Sequence, residues 1–143
     1  MSAERLYTPE MLAAAVELAE SPLLETATIL GSARSPTCGS TLEINLLLDG
    51  DKRIEKVGLK VRACAVGQAA AAIFTRHAAG RDAADIRKAH DAMAAWLSEG
   101  GTEPDWPDIA LIAPARDYPG RHGAMLLPWK AAMAALSSTA EAS

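Results

Sequence analysis

Two cysteines are the residues best able to do chemistry in this chain of 143, and both stand where the backbone must turn. Cys38 lies in the strand-breaking stretch Arg34-Ser35-Pro36-Thr37-Cys38-Gly39-Ser40, and Cys64 follows a run of predicted strands and opens a predicted helix. A thiol on a tight loop and a thiol at a helix N-terminus can converge at one end of a small sheet, where a soft metal or a sulfur species would meet both. The unpaired N–H groups of the helix start, with Arg62 two residues earlier in the chain, suit Cys64 to metal ligation and to persulfide acceptance alike. The bland alternative is that both are small buried hydrophobes, since free cysteine is among the most buried residue types. Two thiolates also leave a tetrahedral site unfinished, because such a site takes four ligands.

The histidines are His77, His90 and His122. The first two fall on predicted helices among charged neighbours and read as solvated surface residues. His122 falls in Tyr118-Pro119-Gly120-Arg121-His122-Gly123, a loop entering a helix, where a ligand or an anion site is reasonable. No nucleophile elbow, phosphate loop, dinucleotide fingerprint or zinc-protease helix is present.

The elements that must position these residues follow from periodicity. Thr8-Pro9-Glu10 starts a helix with a threonine cap, proline at the first position and a carboxylate at the positive end, and Ser21-Pro22 stops it. Leu23 to about Ala33, with Thr26, Thr28 and Ile29, favours a strand. Leu42, Ile44, Leu46 and Leu48 alternate with Thr41, Glu43, Asn45 and Leu47, and Asp49-Gly50-Asp51 signals a hairpin turn. Val57, Leu59 and Val61 continue at period two, while Ile54 is out of phase and predicts a bulge or twist near Glu55-Lys56. Three such strands make an antiparallel meander that needs helices over its apolar face. Ala63 to Ala79 supplies one, ended by Gly80; Asp82 caps another that runs to Gly100-Gly101. Glu103 to Pro107 reads as a loop, Asp108 to Ala113 as a short helix and Pro114 to Tyr118 as a connection. The last helix is expected to start near Leu127, because Pro128 should break one begun at Arg121, and to end near Leu136, with residues 137–143 a fraying tail.

A chain of 143 residues fits a single domain and buries a core without staples, so a metal here would be functional rather than structural. Its net charge of −4 and isoelectric point near 5.3 give no footprint for nucleic acid or an anionic membrane, and both partners are set aside. No signal peptide or membrane span is evident, which points to the cytoplasm, where two distant cysteines argue against a disulfide framework.

Pro36-Thr37-Cys38-Gly39, a meander ending in a cysteine that opens an alanine-rich helix, and Tyr118-Pro119-Gly120-Arg121 followed by Trp129-Lys130-Ala131 together resemble the U-type iron-sulfur cluster assembly scaffolds, the NifU N-terminal domain, IscU and SufU family. The resemblance covers roughly residues 23 to 136 and looks closest to the SufU branch, whose extra segment before the last helix resembles Trp106 to Asp117. It implies an α+β fold, a three-stranded meander packed against about four to five helices, in which three cysteines and an aspartate hold zinc or a transient iron-sulfur cluster. It also implies sulfur from a cysteine desulfurase and delivery to recipient apoproteins. The first two family cysteines fall on Cys38 and Cys64, the aspartate on Ser40 and the third cysteine on Ala124, so two of the four ligand positions are replaced. A family-like site would then need His122, solvent, an exogenous thiol or a second subunit.

The expectation is a binding and delivery protein rather than a turnover enzyme, with Cys38, Cys64 and His122 as the metal-ligating candidates. The alternative is a metal-free interaction module docking on a desulfurase or another assembly factor. A third reading is a reversible Cys38–Cys64 disulfide, which requires Cα atoms within about 7 Å.

Overall fold

Leu42, Ile44 and Leu46 are at most 1% exposed, while Glu43 between them faces solvent, so the alternation in the sequence sets which side of the sheet is the core. A computed structural model describes residues 8–26, 29–36 and 39–142. Strands β1 (Ile29–Arg34), β2 (Thr41–Leu48) and β3 (Ile54–Arg62) pair antiparallel in that order. Leu47 stands opposite Lys56 and Leu48 opposite Ile54, which leaves Glu55 as the extra residue of a bulge. The bulge turns Ile54 inward, to 1% exposure, and accounts for its phase in the sequence.

The first strand is shorter than expected. Ser21 to Leu24 instead run along the free edge of β3 and over its outer side: Leu59 N–H donates to the Ser21 carbonyl at 2.9 Å, and Pro22 bridges Leu59 in parallel. Asn45 then holds the crossing chain, accepting from Leu24 N at 3.0 Å and donating to Leu24 O at 2.8 Å. A Cβ on Gly58 would lie 2.5 Å from both Asn45 Oδ1 and Leu24 N, so the crossing requires glycine there. Thr28, used in the strand assignment, lies outside the described residues.

Among the described residues four α-helices and three short 3-10 segments surround the inner face. Helix α1 (Pro9–Val16) begins as expected, with Thr8 Oγ1 accepting from Met11 N at 3.1 Å, and continues as a 3-10 turn through Glu20. Helix α2 (Ala65–His77) buries Val66, Ile73, Phe74 and a run of alanines; α3 (Ala83–Glu99) carries the reciprocal Asp82–Asp85 capping box and stops at left-handed Gly100. Residues Ile109–Asp117 form a 3-10 segment, extending the short helix expected to end at Ala113.

The last helix corrects the expectation most. Helix α4 (His122–Ala142) runs through Pro128 instead of starting at Leu127, and passes Leu136 to reach Ala142. Proline removes one backbone bond, the one Ala124 O would accept, and costs about 3 kcal/mol in a helix interior. Burial along this helix outweighs that: Met125, Leu127, Trp129, Ala131, Ala132 and Ala135 are all fully buried. Helix α4 lies directly on β1, where a Cβ added to Gly31 would come within 2.4 Å of Ala131 O.

Trp106, in the stretch read as a loop, is 3% exposed. It stacks on Phe74 with centroids 5.4 Å apart, meets Trp129 edge-on at 5.3 Å, and donates Nε1–H to the Ile73 carbonyl at 3.1 Å. This aromatic group anchors the connection between α3 and α4 to the body of α2.

Candidate functional site

Strand register decides at which end of the sheet the β1–β2 loop and Cys64 lie. Arg34 stands opposite Thr41 and Thr41 opposite Arg62, so the β1–β2 loop and the exit of β3 leave the sheet at the same end. The loop is closed by Ser35 N–H donating to Ser40 O at 2.8 Å and Gly39 N–H donating to Ser35 O at 2.9 Å. Gly39 has a φ of 71°, a conformation in which glycine is unstrained. Ser35 and Ser40 are 1% and 4% exposed, so the loop's two feet are buried. Thr37 and Cys38, between Pro36 and Gly39 in this loop, lie outside the described residues.

Cys64 follows two residues after β3. It is the extended N-cap of α2, with φ −67° and ψ 172°, and its side chain makes no capping hydrogen bond. The thiol is therefore left to other partners, half-buried beside a helix start. Gln68, one turn on, donates Nε2–H to the Ala63 carbonyl at 2.8 Å, tying the approach to Cys64 down.

The start of α4 packs against this same turn. A Cβ on Gly67 would lie 3.4 Å from Ala124 Cβ and 2.7 Å from Ala63 Cβ. Ala124 is fully buried. Residue 124 is thus adjacent to the first turn of the helix that Cys64 caps, as is Ala63.

His122 takes a different direction. It is the first residue of α4, and Nε2 lies 2.7 Å from the Arg116 carbonyl in the preceding 3-10 segment. Two residues apart on an α-helix, its side chain and that of Ala124 leave the axis about 200° apart. Among the described residues no group of three or more His, Cys, Asp or Glu side chains gathers as a metal site.

His77 and His90 are both half-buried, each beside a carboxylate rather than freely solvated. His90 Nδ1 is 3.1 Å from Asp91, and His77 Nε2 is 2.7 Å from Asp108 Oδ2. Asp108 also takes Arg76 Nη1 at 3.2 Å, and Arg76 grips both carboxylate oxygens of Glu17. Those contacts hold Glu17 and Asp108 below the usual carboxylate range, Glu17 chiefly through its hydrogen bonds with Arg76 and Asp108 chiefly through His77. They raise the Arg76 guanidinium further, led by Glu17. Asp108 adopts left-handed backbone at φ 68°, which period counting along the sequence does not reveal.

Comparison with known proteins agrees with this architecture. The family model described as NifU-like N terminal domain matches residues 16–122. The crystal structure of a nitrogen-fixing NifU-like protein (N-terminal) from Brucella abortus superposes with a TM-score of 0.89 at 29% identity, covering 97% of each chain. A putative iron-sulfur cluster assembly scaffold protein for the SUF system from the thermophile Fervidobacterium islandicum AW-1 gives 0.80 at 20% identity, over 94% of this chain and 99% of that one, a likeness of fold. No curated protein matches the chain. With three quarters of its residues matched by one family model, the chain belongs to the NifU-like N terminal domain family, a family of iron-sulfur cluster assembly scaffolds.

Proposed function

We propose that the chain is a scaffold-like protein of iron-sulfur cluster assembly, of the SufU type, that accepts sulfur or holds iron, zinc or a nascent cluster through Cys38 and Cys64. The observation that carries the reading is the register Arg34–Thr41–Arg62, because it sends the loop containing position 38 and the N-cap Cys64 off the same end of the sheet. Cargo here would be bound and passed on rather than turned over.

The ligand set inferred for the family fits this chain only in part. Two of the four positions would be Ser40 and Ala124, both buried, and neither provides a good ligand: a hydroxyl is a poor donor at neutral pH and a methyl is none. Cys64, uncapped at a helix start, fits. His122 is the remaining protein candidate, and to serve as an added nitrogen ligand it would have to turn from the Arg116 carbonyl that its Nε2 meets at 2.7 Å. A cargo held by two thiolates would be completed by solvent, by an exogenous thiol or by a second subunit, and would exchange readily. The partners on this reading are a cysteine desulfurase and recipient apoproteins.

The competing reading is an interaction module that kept the fold without the metal, favoured by the burial of alanine at position 124 against Gly67. Elemental analysis and an ultraviolet-visible spectrum of anaerobically purified protein, with Cys38→Ala and Cys64→Ala beside it, separate the two. Iron or zinc near one per chain that disappears in either variant supports the scaffold. Protein that stays metal-free, takes no cluster on reconstitution and carries no sulfane sulfur leaves the module.

A further inference from the structure

The outer face of the sheet, turned away from the helices, carries a charge pattern that the chain's overall balance hides. Residues opposite one another in an antiparallel sheet share a face, so Arg34 and Arg62 flank Thr41 on the outer side, and Lys60 follows one row below. Lys56 stands two rows further on the same side. All four cations are exposed and, among the described residues, none is in an ion pair, on a chain of net charge −4. In the rows that hold them the acidic residue is Glu43, opposite Lys60.

Beyond the first two rows, where of the four cations only Lys56 remains, the face exposes leucines. Leu30, two rows from Arg34 on the same strand, is 64% exposed, and Leu23, on the segment that Asn45 clamps over the face, is 37% exposed. The spacing of Arg34 from Leu30 is about 13 Å along the strand. The basic end of this platform is the end where β3 runs into Cys64 and β1 into the Ser35–Ser40 loop.

We propose that this face docks a partner protein through a segment that is acidic toward the cysteine end and apolar beyond it. Unpaired cations in a chain otherwise rich in carboxylates provide the steering, and the leucines provide the area that leaves water. The pattern disfavours nucleic acid, which would call for aromatic side chains to stack bases and for an unbroken basic track, whereas these rows hold no aromatic residue and Glu43 interrupts them. The docking does not rest on the metal reading, since neither thiol takes part in it.

The test uses the full chain, isotope-labelled for amide spectra, and a short synthetic peptide with a leucine block followed by a glutamate block. Amide shifts confined to the three strands and the Ser21–Leu24 segment are expected, with roughly tenfold weaker binding in the Arg34→Glu/Arg62→Glu variant and on raising salt. Lys52→Glu, in the turn at the opposite end of the sheet, should bind like the parent. Shifts scattered over the surface, or the same affinity in the double variant, would overturn the proposal. So would an oligonucleotide of matched charge that displaces the peptide and depends more strongly on the two arginines. Metal content measured on the same samples reports separately on the scaffold reading.

Discussion

Ala124 and Gly67 face each other at the junction of α4 and α2, and the space between them is closed: a Cβ on Gly67 would sit 3.4 Å from that of Ala124 and 2.7 Å from that of Ala63. Gly67→Ala should therefore destabilise the protein by about 1–2 kcal/mol, because overpacking of about 1–3 kcal/mol exceeds the gain of up to about 1 kcal/mol from replacing a helical glycine. A urea midpoint that rises instead would mean that the Ala63 turn yields freely.

The inferred ligand set makes positions 40 and 124 the places to add donors. Ala124→Cys together with Ser40→Asp should strengthen zinc binding by on the order of a hundredfold or more, since a complete structural site is worth about 10–16 kcal/mol and each ligand a share of it. Competition titration against a chromophoric chelator reads this directly. Unchanged affinity in a variant with native circular dichroism would show that these positions do not surround the cargo.

Asn45 is 5% exposed, and its amide is engaged on both sides by the backbone of Leu24. Asn45→Leu keeps the branched outline but strands both groups of Leu24, at about 1–3 kcal/mol each if they stay dry. The expected loss is about 2–4 kcal/mol in chemical denaturation, with faster amide exchange at Leu24 and Leu59. Exchange that is unaltered at Leu24 would contradict the clamp.

The cluster at Arg76 sets an acid dependence. Glu17 and Asp108 are harder to protonate in the folded chain than in the unfolded one, so their contribution is fully present above the ordinary carboxylate range and is lost as pH falls below about 4. Asp108→Asn should flatten the stability profile on the acid side and cost about 0.5–1 kcal/mol at neutral pH, a modest value because the side chains are partly solvated. Thermal melts across the acid range check this, and an unaltered slope would mean that the contacts with Arg76 and His77 do not form in solution.

The meander, the bulge at Glu55 and the caps at Thr8 and Asp82 were legible in the sequence because each is a local rule: period two, a phase slip, a side-chain oxygen near free N–H groups. Pro128 misled for the same reason. A local rule breaks the helix there, but the decision was made by the apolar burial of Met125 to Ala135 against distant strands and helices. Trp106 was hidden by its Pro- and Asp-rich neighbours, although a large aromatic in an otherwise polar loop is itself a signal of anchoring. At the site, that the β1–β2 loop and the exit of β3 leave the same end of the sheet followed from strand count alone. The direction of His122 did not, since it depends on a carbonyl six residues back that only the folded 3-10 segment presents.

The space at Gly31, where an added Cβ would meet the Ala131 carbonyl and the Ala135 amide, sets a length standard inside the molecule. Side chains act as compressible spacers along most of α4, but here only glycine separates the strand from the helix backbone, so the sheet and α4 have little room to approach or slide. A methyl group at residue 31 would act as a wedge, and because α4 is one continuous rod its tilt would be felt at the opposite end, where Ala124 meets the turn that begins at Cys64. The calibration of the cysteine end is in this sense stored in a glycine of the first strand.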